Sequence, residues 1–172
     1  IFNHSTPEAI RAMRANLIDL AVVTTPMSLK KPLEKIPLSK CKEILICGPK
    51  YSYLTDTAKS LKDLTEIPLI SLSEGTGTYD LYNKFYIAHS VPFTPDMEVA
   101  TTDQIIPMIT HNLGIGFYPE DLATELIEDK KVFPINIEEK LPIREVCLVK
   151  NKSSAMSTSV QKFYNFLRNS VS

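Results

Sequence analysis

No apolar stretch of this 172-residue chain runs beyond about seven residues, whereas a membrane-crossing helix needs ~20. No membrane span is therefore expected. Charge of one sign is also missing. Nineteen basic against twenty acidic residues leave a net charge of −1, so no broad field draws the chain to DNA or to an anionic membrane. Cysteine is scarce: Cys41, Cys47 and Cys147 form an odd set, as suits a reducing interior. Cys41 and Cys47 lie in a segment read as extended, which separates their Cα atoms by roughly 20 Å, beyond the ~7 Å that a disulfide spans. They read as small buried hydrophobes, with a redox-sensing pair as the alternative.

Reactive constellations are absent as well. His4, His89 and His111 stand far apart with no Cys, Asp or Glu at metal spacing, so neither a metal site nor a cofactor is expected. A serine nucleophile would want a Gly-x-Ser-x-Gly elbow, and none occurs. Gly75-x-Gly77 is no dinucleotide fingerprint, because Asp80 holds the third glycine position. Nor does Gly-Lys-Ser/Thr follow, as a phosphate-cradling loop requires. No charged leader precedes an apolar core. Opening on Ile1 and an apolar run, without Met, the chain reads as a fragment of a longer protein.

What is present is regular alternation. A chain of this size buries roughly 70% of its unfolded surface, enough for one domain or two small lobes. Ile1-Phe2-Asn3 reads as the tail of a strand. Ser5-Thr6-Pro7-Glu8 then signals a helix start, with Ile10, Met13 and Leu17 as its apolar stripe. Asp19-Leu20-Ala21-Val22-Val23 has the composition of a parallel strand covered on both faces, and Pro26 ends it. Residues 33–48 are extended, with a bend at Pro37 and a buried run over 43–47. Ser60 to Leu64 fits one capped helical turn.

Strands follow at 68–72 and 97–100, helices carrying Leu81, Phe85 and Ala88 and then Ile105, Ile106 and Ile109, and another strand at 115–118. Pro119-Glu120-Asp121 starts a further helix, with acidic residues at its positive end. Strands near 131–135 and 144–149 precede a last helix over 157–169, in which Val160, Phe163, Tyr164 and Leu167 share a face. This rhythm predicts parallel α/β layers.

Two strand-to-helix turns concentrate hydroxyls: Ser73, Thr76 and Thr78 in one, Thr101 and Thr102 in the other. Such residues cap helices, and a capping turn leaves other N–H groups to receive a small anion. Both roles stay open at this level. Gly114 and Gly116 fit a helix C-cap and close backbone packing.

Taken in order, these motifs are Asp19-Leu20-Ala21-Val22-Val23 with Pro26, Pro68-Leu69-Ile70, Glu74-Gly75-Thr76-Gly77-Thr78, Thr101-Thr102-Asp103, Gly114-Ile115-Gly116-Phe117-Tyr118-Pro119, and Ile143-Arg144 before the closing helix. The whole resembles the effector-binding domain of LysR-type transcriptional regulators. That resemblance implies an α/β fold similar to type 2 periplasmic binding proteins, with two Rossmann-like lobes joined by two crossover strands. Lobe one would hold residues 1–42 and 150–172 and be incomplete at its N-terminus; lobe two would hold 43–149.

The resemblance further implies a small-molecule effector, a small carboxylate or polar metabolite, in the cleft between lobes. Contacts would come from Ser73, Thr76, Gly77 and Thr78 at one turn, Thr101 and Thr102 at the other, and Thr25 and Pro26 from lobe one. It implies a cytoplasmic protein that self-associates as a dimer or tetramer and meets DNA only through a helix-turn-helix not found in these residues. Neither catalysis nor membrane contact is implied.

Two departures stand out. The family's first strand, hydroxyl-bearing loop and helix would precede Ile1, and Tyr79 stands where many members carry a basic residue. A solute-binding protein of a transport system is the alternative, to be decided by the sequence upstream. An enzyme such as a dehydratase or decarboxylase would need a positioned acid or base. Only Glu74 and Asp103 lie close, and both suit turn and cap roles.

Overall fold

The computed structural model of the chain describes residues 1–169. Its elements run α1 (Thr6–Arg14), β1 (Leu20–Thr24), β2 (Leu33–Cys41), β3 (Glu43–Cys47), β4 (Leu69–Leu72), α2 (Gly77–Ala88) and β5 (Met97–Val99). They continue as α3 (Ile105–Thr110), β6 (Ile115–Pro119), α4 (Glu120–Glu128), β7 (Phe133–Ile135), β8 (Arg144–Asn151) and α5 (Thr158–Asn169). Short 3₁₀ turns occupy Pro49–Thr55, Leu61–Leu64 and Thr102–Gln104. The chain divides into two compact units, Ile1–Cys41 with Arg144–Ser172, and Lys42–Ile143. Residues 170–172, assigned to lobe one on sequence grounds, lie outside the described residues.

In the first unit the sheet order is β1-β8-β2, antiparallel throughout. The expectation of a parallel β1 buried on both faces is corrected here. Ala21 and Val23 are buried while Val22 is 52% exposed, so one face of the strand packs and the other does not. Pairing also moves the boundary between units. Every residue from Arg144 to Asn151 has a partner on β1 or β2, so 144–149, expected in lobe two, belong to the first unit. The core is formed by Ala9, Ile10 and Met13 of α1 against Ala21, Val23, Leu33 and Val149.

Leu17 does not join that stripe. The helix ends at Arg14, Asn16 turns left-handed with φ 54, and Leu17 is exposed. Ile1-Phe2-Asn3 is irregular rather than strand. On α5, Tyr164 is buried but Phe163 is exposed.

The second unit holds a five-stranded sheet in the order β5-β4-β6-β3-β7. It is mixed rather than parallel: β4 runs parallel to β5 and β6, whereas β3 is antiparallel to β6 and β7. Both its faces are covered. Leu45, Cys47, Ile115 and Phe117 pack with Tyr82, Phe85 and Tyr86 of α2; their strand neighbours Ile46 and Tyr118 pack with Ile105, Ile109 and Ala123. That accounts for the continuous apolar runs of these strands. Gly114 is not a C-cap. Asn112 takes the left-handed turn with φ 62, and a Cβ on Gly114 would lie 2.3 Å from the Pro68 carbonyl oxygen. All three cysteines are buried and none is in a disulfide, and burial pushes the Cys47 thiol up to about 11, which suits packing rather than redox chemistry.

Two capping carboxylates set a pH response. Glu8 Oε2 accepts from Ser5 N (3.1 Å) and Ser5 Oγ (3.0 Å), and Asp63 Oδ2 accepts from Ser60 N and Oγ, both at 2.8 Å. The backbone N–H bonds above all hold both carboxyls below their ordinary 4.5 and 3.8. A group depressed in the folded state contributes stability above its unfolded pKa and loses it as pH falls through the folded value. The melting temperature should therefore decline below pH 4.5, and less steeply in a Glu8→Gln/Asp63→Asn variant, which lacks both titrating carboxyls. Equal slopes in parallel thermal melts would remove these caps from the acid response.

Candidate functional site

The parallel strands β4 and β5 end side by side, and ligands of open α/β sheets gather beyond the carboxyl ends of such strands. Each strand passes there into a hydroxyl-bearing turn. After β4, Ser73 is tied to β5: its N–H and its Oγ both donate to the Val99 carbonyl, at 2.9 and 3.1 Å. Gly75 takes φ +82 with open space around it, the left-handed conformation that glycine adopts at least cost. Thr76 is the N-cap of α2. Its Oγ1 accepts from Tyr79 N (3.1 Å) and donates to the Ser73 carbonyl (2.8 Å). Gly77 and Thr78 form the first turn of the helix, both half-buried.

After β5, Thr101 is the N-cap of the 3₁₀ turn that leads into α3. Gln104 Oε1 reaches back to Ala100 N (2.9 Å) and Thr101 N (3.1 Å), closing a capping box. Thr102, one residue inside, is half-buried.

A small cavity brings Thr78 and Thr102 together. Glu43, Ser71, Tyr82 and Phe117 are among its other lining residues, and its volume is about 10 Å3. The remaining turn residues, Ser73, Thr76, Gly77 and Thr101, do not line it. Thr25 and Pro26 lie in the first unit, where Thr25 is tied to β8: its Oγ1 accepts from Glu145 N at 2.9 Å and its carbonyl from Arg144 Nε at 2.6 Å. Glu74 and Asp103 are exposed and line no part of the cavity.

Sequence reading passed over Glu43, Tyr82 and Ser71. Glu43 is 4% exposed and accepts a hydrogen bond from the Tyr82 hydroxyl. Its signal was a lone charge opening the run Glu43-Ile44-Leu45-Ile46-Cys47, since a charged residue is almost never fully buried unless partnered. The sequence pattern puts Leu81 rather than Tyr82 on the buried face of α2. The buried stripe is Tyr82, Phe85 and Tyr86, an i, i+3, i+4 set one residue later.

The surroundings of the turn are acidic. Glu98 Oε2 accepts from Glu74 N at 3.1 Å. Burial, and then the charges of Glu74, Glu98 and Asp80, hold the Tyr79 hydroxyl above its ordinary value. Burial raises Tyr118 likewise, with Asp103 adding to it. Among the described residues no three His, Cys, Asp or Glu side chains gather to hold a metal. A larger hollow of about 480 Å3 lies in the first unit, bordered by Phe2, Leu20, Val22, Val160 and Phe163. Its polar lining residues, Asn3, His4 and Asp19, are exposed.

The family profile described as LysR substrate binding domain matches residues 1–172. No curated protein matches the chain. Among solved structures, the effector-binding domain of QuiR in complex with shikimate is similar, with TM-score 0.82, 17% identity, and coverage of 99% of this chain and 79% of that one. The Synechocystis PCC6803 CcmR regulatory domain in complex with 2-PG gives 0.78, at 16% identity over 98% and 80% of the chains. The apo regulatory domain of HypT from Salmonella typhimurium gives 0.77, at 17% identity over 96% and 78%.

Proposed function

The chain belongs to the LysR substrate-binding domain family, and from that premise we propose that it senses a small metabolite on behalf of a LysR-type transcriptional regulator. The effector, a small carboxylate or other polar metabolite, binds where the β4–α2 and β5–α3 turns converge. One observation carries this reading: Thr78 and Thr102, from two successive strand-to-helix turns, border one cavity floored by a buried Glu43–Tyr82 pair. Convergent hydroxyls over a buried polar pair suit recognition. The ligands named for QuiR and CcmR belong to those proteins; they support a small ligand here as the simplest extension of family membership.

Signalling follows by population shift. A ligand that binds one conformational state better than another moves the equilibrium by its differential affinity, and by no more than that. In the whole regulator, assembled as a dimer or tetramer in the cytoplasm, that shift alters how a helix-turn-helix outside these residues meets DNA. The domain performs no chemistry on its ligand, and the residues named above act by hydrogen bonding. Transport by a solute-binding protein is less well supported, because the matching family is the LysR one.

A thermal-shift screen of small carboxylic, hydroxy, amino and aromatic acids on this chain tests the proposal. A true effector at about 100 times its Kd adds ~2.7 kcal/mol, which for a domain of this size raises the melting temperature by roughly 5–10 °C. A screen in which no compound stabilises the chain would defeat it.

A further inference from the structure

Strand β4 carries a hydroxyl in an otherwise apolar, wholly buried run. Leu69, Ile70, Ser71 and Leu72 are all buried, and Ser71 is 6% exposed. The buried side chains of Thr76, Glu43 and Arg144 are hydrogen-bonded: Thr76 to Tyr79 N and the Ser73 carbonyl, Glu43 to the Tyr82 hydroxyl, and Arg144 to the Thr25 carbonyl. The Ser71 hydroxyl, by contrast, bonds to none of the described residues. A buried polar group without a protein partner calls for a physical reason. Among the described residues no side-chain nitrogen or oxygen is both sealed from solvent and unbonded, so this hydroxyl opens onto the cavity that Ser71 lines.

The cavity volume of about 10 Å3 is that of roughly one water-sized probe, so a ligand can seat one heavy atom there. Of the lining residues only Thr78 and Thr102 are half-buried, the rest being buried, and the approach from solvent passes these two threonines before reaching Ser71. A methyl tip would fit but return no hydrogen bond to a desolvated hydroxyl. A carboxylate brings two oxygens and their carbon, more than the space holds. A ligand hydroxyl is a single heavy atom, and it can donate to Ser71 Oγ or accept from it. We infer that Ser71 is a specificity-determining residue and that it receives a hydroxyl of the effector at the inner end of the cavity. Any carboxylate of the same ligand lies outside, toward the turns. This rests on the reading that the effector binds at this cavity, and it narrows the ligand from any small polar metabolite to a hydroxylated one.

The test uses matched pairs within the screen: acetate and glycolate, propionate and lactate, benzoate and para-hydroxybenzoate. Affinities are measured by calorimetry on the chain and on Ser71→Ala and Thr78→Val/Thr102→Val variants. The hydroxylated member of a pair should bind about tenfold tighter than its parent acid, because a site built around a hydroxyl bond rejects the analogue that lacks it. Ser71→Ala should abolish that preference by weakening the hydroxylated member about tenfold, with the parent acid barely changed. Stability supplies a second readout. Ser71→Ala breaks no protein hydrogen bond, so its urea midpoint should equal or exceed that of the unaltered chain. Ser73→Ala, which removes the bond to the Val99 carbonyl, should lower the midpoint.

Equal or tighter binding of the parent acids would overturn the inference, as would a hydroxyl preference that survives in Ser71→Ala. So would equal weakening of both members of a pair, or a Ser71→Ala midpoint as low as that of Ser73→Ala, since either would indicate packing alone. In those cases, weaker binding to the Thr78→Val/Thr102→Val variant would leave the placement of the effector site standing. Undiminished binding to that double variant would defeat the placement and the inference with it, and a screen without ligands would defeat both readings.

Discussion

Replacing Thr78 and Thr102 together with valine is expected to weaken effector binding by about 100-fold while leaving the chain folded. Valine keeps the branched shape of threonine and removes only the hydroxyl. Each hydroxyl bond to a polar ligand contributes about 1 kcal/mol, and about 1.5–3 kcal/mol if the ligand group is charged. Two such losses make roughly 3 kcal/mol, or about 100-fold in Kd. Thr76 provides a comparison within the same turn. Thr76 spends its hydroxyl on Tyr79 N and the Ser73 carbonyl, so Thr76→Val should lower stability by about 1 kcal/mol as a lost cap and change affinity much less. Calorimetry with a compound from the screen, paired with urea unfolding, separates the two outcomes. Undiminished affinity in the double variant would place the effector somewhere else.

The largest stability effect is expected at Tyr82. Its ring stacks on Phe117 with centroids 4.0 Å apart and planes 11° from parallel, and it meets Phe85 edge-on at 6.5 Å. At 2% exposure it is among the largest fully buried side chains of the protein. Tyr82→Ala removes the ring from a close-packed interior, and aromatic-to-alanine changes in cores cost about 3–5 kcal/mol. It also takes away the hydroxyl that donates to the buried Glu43 carboxylate, a further loss of about 1–3 kcal/mol. Domains are stable by only about 5–15 kcal/mol, so Tyr82→Ala should leave the chain close to unfolding. Tyr82→Phe, which keeps the ring, should cost only about 1–3 kcal/mol. A loss below about 2 kcal/mol for Tyr82→Ala in urea unfolding would mean that the stack and the hydroxyl bond contribute little.

The local devices of the fold are written in short range and were legible without coordinates. Ser5 with Glu8 and Ser60 with Asp63 announce their capping boxes three residues apart. The hydroxyl-rich turns after 68–72 and 97–100 mark two helix starts, and both occur where the residues place them. The same holds for the odd, buried cysteines. Each depends on residues within one or two turns of chain, so propensity and hydrogen-bond chemistry suffice.

Pairing direction and cross-chain neighbours depend on tertiary structure. Leu20-Ala21-Val22-Val23 has the composition of a parallel strand, yet it lies antiparallel to β8, more than 120 residues further on; no local pattern encodes which edge a strand meets. Composition misjudged Val22 for the same reason, because its exposure follows from a sheet face left uncovered. The shared border of Thr78 and Thr102 above Glu43 and Tyr82 is a further case. Sequence supplied the two hydroxyl turns, each legible by itself. Only the folded second unit, by setting β4 beside β5 and laying α2 across β3 and β6, determined that one cavity joins them and that a carboxylate forms its floor.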